Sequence, residues 1–317
     1  MTTKKRARLN CPLCKESDLK VVRKGVRGDA EKEVYGCTEC DIHFLEPPNC
    51  DLRDYYRDEY RKNHSSAIGE DLGPKERFDL MRPLMQMRES VFRENIPSGS
   101  NVLEVGCSSG FFLDTIREDY SCYGAEWNPD DAAYVRDELG LPCEEGNLDE
   151  IYPGQTFTVI AAYHVLEHVA DPMEWIRVAK SRLIGGGWLC LEVPNIDNAL
   201  LSIYNAPGFS DFYYRKPHLT YFNMPSLAKA LGLNGFEARV ALHEPYSITN
   251  HMNWVLNGSP QADAQTAQLS LAPVPLDHPA AGVMNRWFTR IDREYKVLLD
   301  TMKATSSLMA VGRKREI

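Results

Sequence analysis

Hydrophobic and polar positions follow three different patterns along the chain. Between residues 18 and 35, apolar residues flank two glycines, which predicts a β-hairpin. Between residues 75 and 94, apolar residues recur at roughly helical spacing, which predicts a helix. From residue 97 to residue 195, short apolar strands alternate with helical segments. This last pattern is typical of an α/β protein with a doubly wound parallel sheet.

Composition and charge narrow the class of protein. The chain has 317 residues, a net charge of −9 and 43% hydrophobic residues, which is ordinary for a globular protein. No apolar run approaches the roughly 20 residues that a membrane helix needs. Basic residues near the start are not followed by an apolar segment, so we expect no secretory signal and a cytoplasmic location. The acidic balance argues against nucleic acid as the main partner.

Four of the nine cysteines form two CxxC pairs near the N-terminus. Cys11 and Cys14 are separated from Cys37 and Cys40 by 22 residues that include the predicted hairpin. Four thiolates brought to one point form a tetrahedral set that suits Zn²⁺. The segment resembles a zinc ribbon, and we expect residues 1–50 to form this module around a structural zinc ion. An iron site or a redox pair is the alternative.

A glycine-rich turn follows the first strand of the alternating region. Strand 101–105 leads into Gly106-Cys-Ser-Ser-Gly110 and then a helix, an arrangement that brings backbone close to a ligand and favours a negative group. A dinucleotide fingerprint does not match, because Ser108 and Phe111 occupy its second and third glycine positions. A hydrolase nucleophile elbow centred on Ser108 is a second alternative.

The strings VLEVGCSSG, VLEH and GGGWLCLEVPN together resemble class I S-adenosylmethionine (SAM) methyltransferases of the UbiG-like and methyltransferase 23 group. The resemblance covers about residues 75–250. It implies a Rossmann-like sheet of seven strands with the last strand antiparallel. Strands six and seven, predicted at 236–246 and 307–313, would then pair as a hairpin. The expected domains are the ribbon, a linker and lead-in helix at 51–98, and a methyltransferase domain at 99–317.

The resemblance also implies the residues that bind SAM. Glu126 ends the second strand, 20 residues after Gly106, where a carboxylate can accept both ribose hydroxyls. Trp127 is placed against the adenine, and Asn147 stands where relatives have an acid that reads the adenine amino group. The full expected set is Glu104, Gly106, Cys107, Ser108, Gly110, Phe111, Glu126, Trp127, Asn147, Leu148, His164 and Tyr60.

Three histidines are the candidate catalytic residues: His164, His168 and His218. Each follows a predicted strand or lies in a loop near the expected ligand crevice, where an imidazole could remove a proton from an acceptor. A purely structural role is the alternative for each. The spacing of His164, Glu167 and His168 also resembles the metal-binding string of ubiquinone-biosynthesis O-methyltransferases, so a divalent catalytic metal is a further alternative.

Residues of about 248–305 form an insertion between the last two strands, and we expect it to cap the acceptor pocket. His251, Asn253 and Trp254 are its candidate acceptor contacts. The expected reaction is O-methylation of a small molecule. A nucleotide-linked sugar or glycan precursor is the first candidate, which would place the enzyme in polysaccharide biosynthesis. A natural-product acceptor is an alternative, as is an RNA or protein acceptor read by the ribbon.

Overall fold

The computed structural model describes residues 9–48, 53, 72–261, 264–268 and 277–316. Tyr60, expected at the SAM site, lies outside the described residues, as does Cys50. Within the described parts of the chain, no helix is long and apolar enough to cross a membrane.

The described residues form two sheets surrounded by helices. The strands are β1 (Leu19–Val26), β2 (Asp29–Cys37), β3 (His43–Leu45), β4 (Asn101–Val105), β5 (Ser121–Ala125), β6 (Cys143–Glu144), β7 (Phe157–Tyr163), β8 (Leu183–Pro194), β9 (Thr220–Tyr221), β10 (Phe236–His243) and β11 (Ser307–Lys314). The helices are α1 (Pro74–Met81), α2 (Gln86–Asn95), α3 (Phe111–Ile116), α4 (Pro129–Asp137), α5 (Pro172–Arg182), α6 (Ala199–Ser202), α7 (Phe209–Tyr213), α8 (Met224–Leu233), α9 (Ile248–Asn257), α10 (Ala264–Gln268) and α11 (Ala281–Thr301).

The larger sheet has seven strands in the order β10-β11-β8-β7-β4-β5-β6. Strands β4 to β8 run parallel, whereas β11 is antiparallel to both β8 and β10. Strand β10 therefore runs in the same direction as β8, and both end at the edge where a ligand crevice is expected. The predicted α/β fold, with its last strand antiparallel, is confirmed.

The fifth parallel strand begins earlier than the sequence pattern indicates. The glycine triplet at 185–187 reads as a turn, but it lies inside β8. The register with β7 shifts there, with Phe157 opposite Leu183 and Val159 opposite Trp188, so the triplet forms an irregularity in the pairing. A Cβ on Gly187 would lie 3.0 Å from the carbonyl oxygen of Thr158, which explains why this position of the irregular stretch is glycine.

The predicted lead-in helix is interrupted. Helices α1 and α2 are separated by a 3-10 turn over Arg82–Met85. Pro83 lies in that turn; it has no backbone N–H, and its ring clashes with the preceding helical turn. The interruption turns both helices so that they contact α3 and α4 beside the glycine-rich loop.

The smaller sheet joins the N-terminal residues to a much later segment. Its strand order is β1-β2-β3-β9, with His43 opposite Tyr221 and Phe44 opposite Thr220. The backbone N–H of Leu45 also donates to the carbonyl of Leu219, at 2.9 Å. The cysteine-bearing hairpin is therefore continuous with the segment that contains His218.

Candidate functional site

The loop between β4 and α3 can be formed only with glycine at two positions. Gly106 has φ +71°, and a Cβ there would lie 2.6 Å from Cγ2 of Val165. Gly110 has φ +75°, and its Cβ would lie 2.8 Å from Cδ1 of Leu139. Both angles lie in the left-handed region that glycine adopts without strain. The loop is therefore a cradle that a side chain would fill.

Glu126 fixes the open side of this cradle. Its two carboxylate oxygens accept hydrogen bonds from the backbone N–H groups of Ser108 and Asn128, each at 2.9 Å. Asn128 in turn caps α4 by accepting from the N–H of Asp131, at 3.0 Å. Because a carboxylate oxygen can accept more than one hydrogen bond, these contacts hold Glu126 in place and are compatible with a ribose hydroxyl.

Glu104 lies beneath the cradle with an unsatisfied oxygen. Its side chain is only 2% exposed, and none of the described residues donates a hydrogen bond to its Oε2. Burial raises the pKa of this carboxyl to about 8, against the opposing charge of Arg88, and the charge of Glu126 raises it further. A buried carboxyl oxygen without a donor is costly unless a ligand completes its hydrogen bonding.

The remaining expected SAM residues lie in this loop or directly follow the next two strands, β5 and β6. The Cys107 thiol faces the core, 3.8 Å from Sγ of Cys143, so only its backbone belongs to the cradle. Phe111 begins α3 and Trp127 directly follows Glu126; both are half-buried. Asn147 and Leu148 come after β6, and Leu148 is buried. The glycine cradle, the fixed Glu126 and the unsatisfied Glu104 oxygen together fit SAM.

A cavity of about 700 Å³ opens beside the loop. His164 and Glu192 line it, and Val165, the residue after His164, is the one that a Cβ on Gly106 would meet. The wall also includes Met81, Met85, Arg88, Asn198, Phe212, Arg215, His218, His243, Glu244, Tyr246, Trp254 and Lys296. These residues come from the lead-in helices, the ends of β8 and β10, the 209–218 segment and the insertion.

Glu192 is the charged centre of the cavity wall. Its Oε2 accepts from Nη2 of Arg88 at 2.8 Å, and its Oε1 lies 2.9 Å from Nδ1 of His243 and 3.4 Å from Nε2 of His164. Burial alone would raise the pKa of this carboxyl, but the Arg88 cation, the neighbouring His243 imidazole and the His164 cation hold it well below its usual range. Glu192 is therefore ionised at neutral pH.

His164 lies between two carboxylates. Its backbone is left-handed, with φ +58°, and its Nδ1 is 3.2 Å from Oε1 of Glu167. Burial would lower the pKa of the imidazole, but the charge of Glu192 and hydrogen bonds to Glu167 and Glu192 raise it to about 9. His164 is thus a cation at neutral pH.

His168 and His218 contact each other but face different surroundings. His218 lines the cavity, and its Nε2 accepts from Nε of Arg215 at 2.7 Å. His168 is not part of the cavity wall; its Nδ1 is 3.0 Å from the carbonyl of Pro217, and burial lowers its pKa to about 4. The two rings pack edge to face at 4.6 Å, so His168 supports the loop that carries His218.

Two groups of side chains have the spacing of metal ligands. In one of them, ligand atoms of Glu167, His168 and His218 lie within 4.8 Å of one another. The sequence pattern placed His164 in such a group, but the structure places His218 there. The Arg215 guanidinium next to His218 would repel a cation, which makes this group a poor metal site.

The other group is the set of Cys11, Cys14, Cys37 and Cys40, whose thiols lie within 4.8 Å of one another. The two CxxC turns have the same shape. The residue after each turn is left-handed, with φ +65° at Lys15 and +54° at Asp41. Its N–H returns to the carbonyl of the first cysteine, at 2.9 Å and 3.0 Å respectively. Four buried or half-buried thiols in this arrangement suit Zn²⁺.

The insertion contributes Trp254 to the cavity wall, where its ring packs at 5.0 Å against Phe209 and Phe212. The other two candidates do not line the cavity. His251 is fully buried with Nδ1 2.6 Å from the Tyr295 hydroxyl, and the Asn253 amide donates to the carbonyl of Ser259.

His243, Arg88 and Arg215 were not among the candidates chosen from the sequence. His243 ends β10 and lies near the end of the strand predicted at 236–246, so the rule that strand ends carry function could have found it. Arg88 lies in a helix with ordinary amphipathic spacing. No local signal shows that it reaches Glu192, 104 residues later.

With a reversed last strand and a glycine cradle where the first parallel strand ends, the chain is a SAM-dependent methyltransferase in fold. A family model described as a methyltransferase domain matches residues 75–240. This match covers just over half of the chain, which therefore belongs to the methyltransferase 23 family. None of the curated protein sequences matches the chain.

Solved structures with a similar fold include a methyltransferase from Haloferax volcanii in complex with its activator protein. It is 15% identical with a TM-score of 0.52, covering 83% of this chain and 98% of that one. A SAM-dependent methyltransferase from Archaeoglobus fulgidus is 18% identical, with a TM-score of 0.47 over 76% of this chain and 97% of its own. One from Thermotoga maritima is 16% identical, with a TM-score of 0.48 over 76% and 94%.

Proposed function

We propose that this methyltransferase O-methylates a hydroxyl group of a small molecule bound in the 700 Å³ cavity. The observation that carries the proposal is the pairing of His243 with ionised Glu192 in the cavity wall. A hydroxyl acceptor has to lose its proton during transfer, and a histidine oriented by a carboxylate is suited to remove it.

The donor site is the glycine cradle with its acidic residues. SAM supplies an electrophilic methyl group on a sulfonium, and its leaving group is a neutral thioether. The backbone of Gly106–Gly110 would hold the donor closely, and Glu126 would accept hydrogen bonds from the ribose hydroxyls. Trp127, Asn147 and Leu148 are proposed to surround the adenine. Glu104 would obtain the donor that its Oε2 otherwise lacks.

Proton removal is assigned to His243. Because the carboxylate of Glu192 can only accept, Nδ1 of His243 carries the proton in that hydrogen bond. Nε2 is then the basic nitrogen. Nε2 would take the proton of the acceptor hydroxyl, whose oxygen would receive the methyl group that SAM supplies as the S–CH3 bond breaks and the thioether leaves. The imidazolium that results is stabilised by the negative charge of Glu192.

The three histidines chosen from the sequence receive different roles in this proposal. His164, held as a cation between Glu167 and Glu192, fixes the position of the Glu192 carboxylate. His218 holds the Arg215 side chain in the wall, and His168 supports His218 from behind. His164 and His218 line the cavity, so both are proposed to contact the acceptor.

The acceptor is proposed to be a nucleotide-linked sugar or a related glycan precursor. The cavity volume falls within the range of about 300–1,000 Å³ that is usual for small-molecule sites. Its wall combines aromatic rings, such as Phe212 and Trp254, with charged groups, a mixture suited to a ligand with both a ring and polar substituents. A natural-product scaffold with a hydroxyl group is the second acceptor to test.

The four cysteines are proposed to hold a structural zinc ion. Two identical CxxC turns supply the thiolates, and Nζ of Lys229 donates to Sγ of Cys40 at 3.3 Å. A closed set of four protein ligands has no open position for catalysis, so the ion would stabilise the small sheet.

The proposal is tested by calorimetric titration with SAM, followed by turnover with nucleotide-linked sugars and hydroxylated natural products. Mass spectrometry of the product would show which atom carries the methyl group. We expect SAM binding and a methyl ether. Turnover confined to amine acceptors or to RNA would refute the O-methylation proposal while leaving the enzyme class intact.

A further inference from the structure

Arg215 is held in the cavity wall in a fixed orientation. Its backbone N–H donates to the Tyr221 hydroxyl at 2.9 Å, and that hydroxyl donates to the Arg215 carbonyl at 3.3 Å. Its side-chain Nε donates to Nε2 of His218 at 2.7 Å. With the backbone and Nε both fixed, the terminal Nη groups keep one direction, and little rotamer entropy is lost when they bind a ligand.

The cations of the cavity wall have different partners. Arg77 pairs with Asp131, Arg88 with Glu192, and Lys296 with Asp292. Glu244, the second acid in the wall, accepts from the backbone N–H groups of Tyr246 and Ser306. Within the part of the chain that the structure describes, no carboxylate lies at ion-pair distance from Arg215.

A second arginine enters the cavity from the adjacent backbone. Arg27 forms an isolated parallel bridge with Arg215, fixed by hydrogen bonds from Arg27 N–H to the Tyr214 carbonyl and from Lys216 N–H to the Arg27 carbonyl. The Arg27 guanidinium lies 4.3 Å from the centre of the Phe212 ring. Both arginines line the cavity, where Arg27 adds a second guanidinium to the wall that carries Arg215.

We propose that Arg215, with Arg27 beside it, binds an oxyanion of the acceptor, either a carboxylate or a phosphate. The planar guanidinium presents parallel N–H donors that match two oxygens of such a group, and charge-assisted hydrogen bonds of this kind are among the strongest in proteins. The inference rests on the proposed function in one respect, namely that the acceptor occupies the cavity. It restricts that acceptor to anionic molecules.

The test is calorimetric titration of the full-length protein, in a buffer without phosphate, with inorganic pyrophosphate, inorganic phosphate and malonate. We expect saturable binding of at least one of these probes. Arg215→Gln should weaken it by about tenfold or more, as expected for losing a charged hydrogen-bonding group. Arg27→Gln should weaken it less. The phosphate probes and malonate distinguish a phosphorylated acceptor from a carboxylated one.

Arg239→Gln is the matched control. It removes the same charge as Arg215→Gln, but Arg239 is exposed on β10 and lies outside the cavity wall. SAM affinity and thermal stability are measured for every variant. If Arg215→Gln fails to fold, Arg215→Lys is used as the test variant, since it keeps the charge and loses the planar guanidinium. We expect it to weaken oxyanion binding, but by less than Arg215→Gln.

The inference is wrong if the wild type binds none of the three probes, or if Arg239→Gln weakens binding as much as Arg215→Gln. Failure of the wild type to bind SAM would refute the proposed function separately. Intact SAM binding with no oxyanion binding would refute only the role of Arg215.

Discussion

Nδ1 of His243 lies 2.9 Å from Oε1 of Glu192, and this contact determines which nitrogen of the histidine can act as a base. His243 and Glu192 are far apart in sequence. They meet because β8 and β10 run in the same direction on either side of β11, which brings their carboxyl ends together. The sheet topology thus places a basic nitrogen in the cavity wall.

His243→Gln should lower the rate of methyl transfer by about 100-fold or more, because general-base catalysis contributes that much. SAM affinity should stay within about twofold of wild type, since His243 is not part of the glycine cradle. The measurement is turnover with the acceptor found by screening, alongside calorimetry with SAM. His278→Gln, at an exposed histidine outside the cavity wall, is the control and should retain full activity.

Gly106→Ala should weaken SAM binding by at least tenfold. The new Cβ would lie 2.6 Å from Cγ2 of Val165, and the residue would keep a left-handed backbone that costs about 1–2 kcal/mol for alanine. The double variant Gly106→Ala with Val165→Ala removes the clash and leaves the backbone strain. We expect it to recover part of the affinity, as measured by calorimetry.

Gly154→Ala separates backbone strain from loss of the site. Gly154 has φ +79°, yet no atom lies within 4 Å of the position of its Cβ. Gly154→Ala should lose about as much stability to backbone strain as Gly106→Ala, but it should keep its SAM affinity. If Gly154→Ala and Gly106→Ala weakened SAM binding equally, the placement of the cradle at Gly106 would be contradicted.

His164 should make stability depend on pH in the neutral to basic range. Its pKa is raised from 6.5 to about 9, so the native state favours the protonated form. The stability that His164 contributes is fully present below about pH 6.5 and is lost as the pH rises through about 9. In urea unfolding, the gap between wild type and His164→Gln should therefore be largest at pH 6 and should shrink by pH 9.5. A gap that widens with pH would contradict this assignment.

Removal of the proposed zinc ion from the four cysteines should loosen one wall of the cavity. Cys37 ends β2 and Cys40 lies just before β3, the strand that pairs with β9, so loosening of the cysteine turns would release residues 214–221. After chelation we expect faster hydrogen exchange in that segment, weaker oxyanion binding and unchanged SAM affinity. Exchange that stays slow in residues 214–221 while the cysteines lose their metal would refute the link.

Local patterns predicted the parts of the fold that depend on neighbouring residues. The hairpin predicted at 18–35 is observed as β1 and β2, the glycine-rich turn follows β4, and Glu126 and His164 come directly after β5 and β7. The helix of residues 75–94 was predicted as one element, although Pro83 within it already pointed to an interruption. The glycine triplet at 185–187 has the sequence pattern of a turn. Glycine is common both in turns and in strand irregularities, so the pattern does not distinguish the two.

Contacts between residues far apart in sequence leave no signal in a local pattern. Arg88 reaches Glu192 across 104 residues, and Arg27 reaches the 214–216 segment from the N-terminal hairpin. Such contacts are set by the order of strands in the sheet and by helix directions, neither of which a periodic pattern records. The histidines show the same limit, since a motif placed His168 near the site but could not show that it lies outside the cavity wall.

The pairing of β3 with β9 also has a consequence for the newly made chain. Strand β3 cannot pair with β9 until Tyr221, the residue opposite His43, has been synthesised. A ribosome that adds 5–20 residues per second needs roughly 10–35 seconds to make the intervening residues. During that interval the outer edge of β3 has no neighbour, and exposed strand edges invite pairing with other chains. The strand is only three residues long, which limits the edge that can be captured before the protein closes its own sheet.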